Sequence, residues 1–245
     1  MKTVGVIGCG AIGTLIVEAV EKHIVACDRL ILYDNDVARA ERLHRLLHVP
    51  AVVVKSVDEM INLKPAVIVE AASQQAVREY VGKVVAAGIE MIVMSVGALL
   101  DVGVKSSLVH FSSGAIGGLD AISSADLAGV DEVLLTTHKN PKVLEMNNRQ
   151  AKTVYEGGAE EAVERFPREM NVAATLALTV GREKVKVRVV SDPKVKRNVH
   201  AIKVKWKHGD MLMRFSNDPH PENPKTSALA AWSAIRLLKD ILAKK

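Results

Sequence analysis

Two stretches of the sequence hold residues whose types and spacing suit chemistry. The first is GCGAIG, residues 8–13, with Gly8, Gly10 and Gly13 in the G-x-G-x-x-G pattern. In that pattern the first glycine permits a tight turn, the second lets a pyrophosphate approach the backbone, and the third lets a helix pack closely on a strand. The helix N-terminus then offers amide donors and the positive end of a dipole to the anion. Ala11 and Ile12 belong to the same loop and count with the glycines as cofactor contacts. Asp34 stands 21 residues beyond Gly13, where a carboxylate hydrogen-bonds ribose hydroxyls. It favours NAD over NADP, because a 2′-phosphate would meet like charge, and nearby Arg39 softens that preference.

The second stretch is KRNVHAIKVKW, residues 196–206. With a period of two it puts His200, Ile202, Val204 and Trp206 on one strand face and Ala201, Lys203 and Lys205 on the other. Such a histidine is either a core residue holding a backbone carbonyl or an imidazole aimed into an active site, and the pattern alone leaves both open. Lys225, Thr226 and Ser227, in NPKTS, read as the start of the last helix, where a cation, hydroxyls and amides suit substrate carboxylates. They read equally well as a helix cap with a solvated lysine. Ser113 and Gly114, in the glycine-rich SSGAIGGLDAI, are further candidates for substrate binding, and His138, His208 and His220 read as loop or surface groups.

The elements that must position these residues change character along the chain. TVGVI, LILY, AVVV, AVIVEA and EMIVMS are short apolar strands separated by helical patterns: the run after the glycines, DVARAERLHRLL, SVDEMINL with a Ser56/Glu59 capping box, and QQAVREYVGKVVAAG closed by Gly88. Continuous apolar strands alternating with helices predict a parallel sheet covered on both faces. After about residue 112, DEVLLTTHK, KVKVRVVSD, RNVHAIKVKW and DMLMRFSN read as strands, with HGD as a hairpin turn. AEEAVERF and NVAATLALTV read as helices, and TSALAAWSAIRLLKDILAKK as a long amphipathic one. In KVKVRVV the valines face one way and Lys184, Lys186 and Arg188 the other, the mark of a sheet with one solvated face. The expected fold is therefore α/β: a Rossmann dinucleotide-binding domain at 1–112, an α+β domain with a mostly antiparallel sheet at 113–224, and a helix at 225–245 returning to the Rossmann domain. Chemistry is expected in the crevice between the domains.

Composition narrows the function. With 245 residues, 49% of them hydrophobic and 25% charged, the chain can bury one large core or two modest ones. A net charge of +5 is spread along the chain and aromatics are only 3%, so a nucleic-acid platform is not indicated, whereas small anionic ligands suit the mild positive field. Cys9 and Cys27 give neither a disulfide framework nor metal-ligand spacing, which points to a reducing compartment. No basic leader and no apolar run of about 18 residues is present, so a cytoplasmic location without a membrane partner is expected.

Within nicotinamide chemistry, a thiohemiacetal mechanism would need a cysteine in or near the second domain, and both cysteines lie in the first. The Glu-Lys-Pro typical of two-domain sugar oxidoreductases is replaced by MSVGAL, and the histidine pair and Pro-Ser-Gly-Thr of dihydrodipicolinate reductases are absent. GCGAIG, EAASQQAV, MSVGAL, SSGAIGGLDAI, NVAATLAL, RNVHAIKV and NPKTSALAAWS occur in this order, and together the chain resembles the L-aspartate dehydrogenases over nearly its whole length. The resemblance implies NAD(P)-dependent oxidation of L-aspartate to iminoaspartate for NAD biosynthesis, usually by a homodimer. It maps the family's catalytic histidine onto His200 and its dinucleotide-contacting positions onto Ala115 and Asn171, the latter also readable as the N-cap of its helix. Ala201 stands where the family often has Glu. Outside that resemblance, a reductase of another small dicarboxylate or imino acid and a non-catalytic dinucleotide-sensing module stay open.

Overall fold

The computed structural model describes the backbone of residues 2–167, 169–220 and 223–245, and their side chains except those of 220 and 223–226. The chain divides into two compact units, residues 1–112 with 231–245, and residues 113–230.

The first unit alternates strand and helix: β1 (Thr3–Ile7), α1 (Ala11–Glu21), β2 (Arg29–Tyr33), α2 (Val37–His44), β3 (Ala51–Val53), α3 (Val57–Asn62), β4 (Val67–Glu70), α4 (Gln74–Ala86), β5 (Glu90–Val93) and β6 (Val109–Phe111). All six strands pair in parallel in the order β3-β2-β1-β4-β5-β6. That order reverses between β1 and β4, the switch point where dinucleotides bind in doubly wound sheets. Side-chain alternation sorts the strands onto two cores. Val4, Val6, Leu30, Leu32, Val67 and Val69 pack with Ile16, Val17 and Val20 of α1, while Ile7, Ile31, Ile68, Met91 and Val93 pack with Met60 of α3 and Val77, Val81 and Val84 of α4. Both faces are buried, which is why these strands read as unbroken apolar runs.

Local chemistry sets the helix ends. Ser73 Oγ accepts from the Ala76 amide at 3.2 Å to start α4, and Ser56 Oγ accepts from Glu59 at 3.1 Å to start α3. The Glu59 carboxylate reaches back to the amide of Lys55 at 2.8 Å, one residue beyond the cap that a capping box engages.

The second unit contains α5 (Leu119–Ala128), β7 (Val130–Lys139), β8 (Lys152–Gly158), α6 (Ala159–Arg165), α7 (Asn171–Val180), β9 (Val185–Ser191), β10 (Asn198–Trp206), β11 (Gly209–Asn217), β12 (Pro219–His220) and β13 (Asn223–Ser227), and α8 (Ala228–Ala243) runs from it into the first unit. Its main sheet has the order β11-β10-β7-β9-β8, and every pairing is antiparallel except β7 with β9. Val133, Leu135, Val187, Val189, Ile202 and Val204 are buried on the face that α5, α6 and α7 cover. On the other face Lys186 pairs with Glu132 at 2.6 Å and Arg188 with Glu156 at 2.8 Å, so acids on neighbouring strands offset much of the expected basic stripe. Lys184 is not part of that face: it lies in a 3-10 turn and pairs with Asp126 at 2.8 Å.

α8 begins at Ala228, not at Lys225, because Asn223–Ser227 pairs as strand β13 with β12 and satisfies its backbone there. Its Ile235, Leu238, Ile241 and Leu242 join the core built on Val4, Leu30 and Val69 in the first unit. β6, β8 and α5 have no counterpart in the sequence-based expectations. Tyr155 is the one large buried side chain of β8, and α5 carries Ser123 and Ser124, whose hydroxyls bond back to the carbonyls of Leu119 and Asp120. Neither pattern stands out as an apolar stripe. Among the described residues no helix is long and apolar enough to cross a membrane, and no group of three or more His, Cys, Asp or Glu side chains could hold a metal ion.

Candidate active site

In the first unit the glycine loop joins β1 to α1. Gly8 has φ +95°, and a Cβ there would stand 2.7 Å from the Ala71 carbonyl oxygen in the loop after β4. Gly13 packs so closely on the Gly8 carbonyl that no side chain fits between them, whereas a Cβ on Gly10 would meet nothing within 4 Å. The loop is thus closed toward the sheet and open on the Gly10 side. Gly10 caps α1 without a side-chain hydrogen bond, and the first turn carries no acid, so its amides point at the space that a pyrophosphate would enter.

Asp34 follows β2 and is held in place. Its Oδ2 accepts from the Cys9 amide at 2.8 Å, its Oδ1 accepts from Asp36 at 2.9 Å, and Arg39 Nη1 lies 3.7 Å from Oδ2. Cys9, beside this carboxylate, has its thiol pushed up to about 12, by burial first and then by the Asp34 charge, so it is no nucleophile.

Sequence reasoning missed Glu70. It ends β4, is fully buried, and accepts five hydrogen bonds: Ala72 and Ser73 amides and the Ser95 hydroxyl on Oε1, Met94 and Ser95 amides on Oε2. Burial pushes its carboxyl above the ordinary range while the donors pull the other way. One carboxylate therefore pins the loops after β4 and β5, and the first of these packs on Gly8. The signal available in the sequence was an acid closing an otherwise apolar strand.

In the second unit His200 is 2% exposed, and its Nδ1 is 3.0 Å from Thr137 Oγ1. The partner is a side-chain hydroxyl and not a backbone carbonyl. Burial first, and the Lys139 charge second, lower the imidazole to about 3, so it is neutral at physiological pH. The registers build two polar rows on this face: Thr137, His200 and Phe215 lie side by side, with Val189 on the far flank of Thr137. One rung along, Ser191 and Lys139 are register partners, as are Asn198 and Asn217, and Lys139 Nζ donates to Asn198 Oδ1 at 3.0 Å. Asn217 Nδ2 donates to the Ala115 carbonyl at 2.9 Å, which ties Ser113, Gly114 (φ +65°) and Ala115 to the same end of the sheet. Ser227 is brought to that end too, through the pairing of β13 with β12, and it is 3% exposed with an unpartnered Oγ.

Other expectations are corrected. Asn171 is the first residue of α7, whose N-cap is Met170, so its side chain is not the cap. His138 is not a loop or surface group: it lies on β7, half-buried, 3.6 Å from Asp192. His208 is exposed in the β10–β11 turn. The side chains of Lys225, Thr226 and His220 lie outside the described residues. Thr137, Lys139 and Asn198 were missed, although a lysine at an inward position of VDEVLLTTHK is the kind of period-two violation that marks a buried polar group.

A parallel sheet in this order with a glycine loop, an acid after β2, and a second unit carrying a buried histidine defines a two-domain nicotinamide-dinucleotide oxidoreductase. Residues 8–113 match the model of the homoserine dehydrogenase NAD-binding domain, and residues 120–241 match that of the aspartate dehydrogenase C-terminal domain. The chain is 40% identical to L-aspartate dehydrogenase of Methanothermobacter thermautotrophicus, covering 98% of this chain and 96% of the relative, and 41% identical to that of Archaeoglobus fulgidus, covering 97% of each. The crystal structure of aspartate dehydrogenase from Thermotoga maritima superposes with a TM-score of 0.80 at 31% identity, over 100% of this chain and 98% of that one. A myo-inositol dehydrogenase from Lactobacillus casei shares the fold alone, at 12% identity and a TM-score of 0.62. The chain belongs to the L-aspartate dehydrogenase family.

Proposed function

We propose that this protein oxidises L-aspartate to iminoaspartate with NAD or NADP as the hydride acceptor. The observation that carries the proposal is the buried neutral imidazole of His200, fixed by Thr137 beside a buried cation, in a chain of this family. The dinucleotide, when bound, supplies the site that takes hydride from the substrate Cα. For that hydride to leave, the substrate ammonium must first become an amine. His200 takes this proton: with Nδ1–H donating to Thr137 Oγ1, Nε2 presents its lone pair to the substrate nitrogen. A charged imidazole could not accept it, which is the use of holding the ring neutral. Two electrons and a proton leave as hydride, a second proton passes through His200, and the C–N bond becomes C=N.

The amides around Gly8, Gly10, Ala11, Ile12 and Gly13 would hold the pyrophosphate, and Asp34 the ribose diol. Arg39 next to Asp34 supports use of NADP as well as NAD. Ala115 and Asn171 are assigned to the dinucleotide by family resemblance, and Ser113, Gly114, Lys225, Thr226 and Ser227 to the substrate. Two free cysteines fit a reducing, cytoplasmic setting. A homodimer is assigned by family resemblance; sedimentation at the 26.5 kDa of one chain would exclude it.

The test is absorbance at 340 nm with NAD or NADP and L-aspartate beside glutamate, alanine, malate and homoserine. Reduction with L-aspartate, abolished in His200→Ala while dinucleotide binding survives, is the expected result. Preference for another acid, or full turnover without His200, would overturn it.

A further inference from the structure

Among the described residues of the first unit, Glu70 is the one fully buried carboxylate, and the proton and hydride transfers just described make no use of it. Removing a carboxylate from water is costly unless donors replace the water. Five do so here. Oε1 accepts from the amides of Ala72 at 2.8 Å and Ser73 at 2.9 Å and from the Ser95 hydroxyl at 2.9 Å, and Oε2 from the amides of Met94 at 3.2 Å and Ser95 at 2.9 Å. Four of these donors are amides, two on each oxygen, and an amide N–H can only donate. A proton on either oxygen would face them, so the set suits the ionised form.

The donors come from two loops, 71–73 between β4 and α4 and 94–95 after β5, on strands that pair with Glu70 opposite Val93. Both loops leave the carboxyl ends of their strands, the edge of a doubly wound sheet where a dinucleotide lies across the switch point. In such a site an acid after β2 meets the adenosine ribose, so the other half of the dinucleotide falls to the loops after β4 and β5.

The two βα turns beside the switch point also differ in charge. Gly10 opens α1 with no side-chain cap and no acid in the first turn. At α4 the Ser73 hydroxyl already accepts from Ala76, and the amides of Ala72 and Ser73 are bound to Glu70. A phosphate is drawn to the first turn, and at the second it would meet a carboxylate. The glycine turn has anchors of its own: the Gly8 amide donates to the Tyr33 carbonyl and the Cys9 amide to Asp34 Oδ2, each at 2.8 Å. It touches the loop after β4 only by packing, Gly8 against Ala71 and Ala72.

We propose that Glu70 is a positioning residue for the nicotinamide half of the dinucleotide: by binding amides of both loops at once it fixes the surface that receives that half, and it takes no part in holding the adenosine diphosphate half. The proposal rests on the reading of this edge as a dinucleotide site.

The test compares NAD with ADP, which carries the adenosine and the diphosphate alone, in calorimetric titrations of the parent and two variants. Glu70→Gln turns one oxygen into an NH2 facing amide donors, and Glu70→Asp keeps the charge but falls one methylene short of spanning both loops. Both variants should bind NAD about 30-fold more weakly and ADP less than threefold more weakly. Equal losses on NAD and ADP would make Glu70 a structural residue of the whole unit and overturn the proposal. Unchanged NAD affinity in Glu70→Gln would do so too, as would parental affinity in Glu70→Asp, which would mean that charge and not span is what counts. A parent that binds neither NAD nor ADP would instead sink the dinucleotide reading, and the proposal with it. Should Glu70→Gln and Glu70→Asp not fold, Ser95→Ala removes one donor and leaves the four amides in place. It should weaken NAD about threefold with ADP unchanged, and parental NAD affinity there would overturn the proposal.

Discussion

Replacing His200 by Gln should make the second unit less sensitive to acid. In the unfolded chain the imidazole takes a proton below its ordinary value of 6.5, whereas in the folded chain, desolvated and beside Lys139, it does so only near 3. Between these values the unfolded state binds more protons, so folding stability falls as pH falls, by about 1.4 kcal/mol per unit. From pH 6.5 to pH 5 the histidine therefore removes about 2 kcal/mol, and the full window down to pH 3 sets a ceiling of about 5 kcal/mol. Gln keeps a polar group for Thr137 and does not titrate, so comparing its stability with the parent's at each pH cancels the carboxylates that also titrate in this range. Urea unfolding is read best from Trp206, on the same strand as His200, in a Trp232→Phe background, since Trp232 belongs to the first unit. The parent should lose about 2 kcal/mol more than His200→Gln between pH 6.5 and 5. Equal losses would mean that the folded imidazole titrates as it does in water, and the account of a neutral, desolvated base would be refuted.

Gly13→Ala should lower NAD affinity by about 100-fold or more by calorimetry, because a methyl group there collides with the Gly8 carbonyl and overpacking of a closed site forces the backbone to move. Arg39→Ala should weaken NADP binding by about tenfold and leave NAD within twofold, since only the 2′-phosphate gains from the guanidinium beside Asp34. Glu70→Gln places an amide NH2 against amide donors and should cost roughly 2–3 kcal/mol in urea unfolding of the first unit, read from Trp232 fluorescence. Ser73→Ala removes the α4 cap and should cost about 1 kcal/mol in the same assay.

Apart from β6, the first unit was legible because its information is local. Its central strands are buried on both faces and read as apolar runs, α3 and α4 start at capping serines, and its glycine loop occupies six consecutive residues between a strand and a helix. Asp34 lies at the end of the neighbouring strand, so its place followed once the strands were found. β8 and α5 were not legible, since one is held mostly by its pairing with β9 and the other is rich in serine. The strand start at Asn223 was likewise hidden, because NPKTS carries the marks of a helix cap and only the pairing with β12 makes it extended.

What the sequence by itself determined is a dinucleotide loop, the two-domain order and a histidine on an apolar strand face, all set by periods of two and 3.6 and by spacings within one turn. What only the tertiary structure decided is the company that histidine keeps. Thr137, Lys139, Ser191, Asn198 and Asn217 come from four strands, and strand pairing alone aligns them with His200: a shift of one residue in the β7–β10 register would send the facing side chains to the opposite side of the sheet. Burial then does what composition cannot announce, holding one imidazole neutral and leaving one amide donor without a partner beside a lysine.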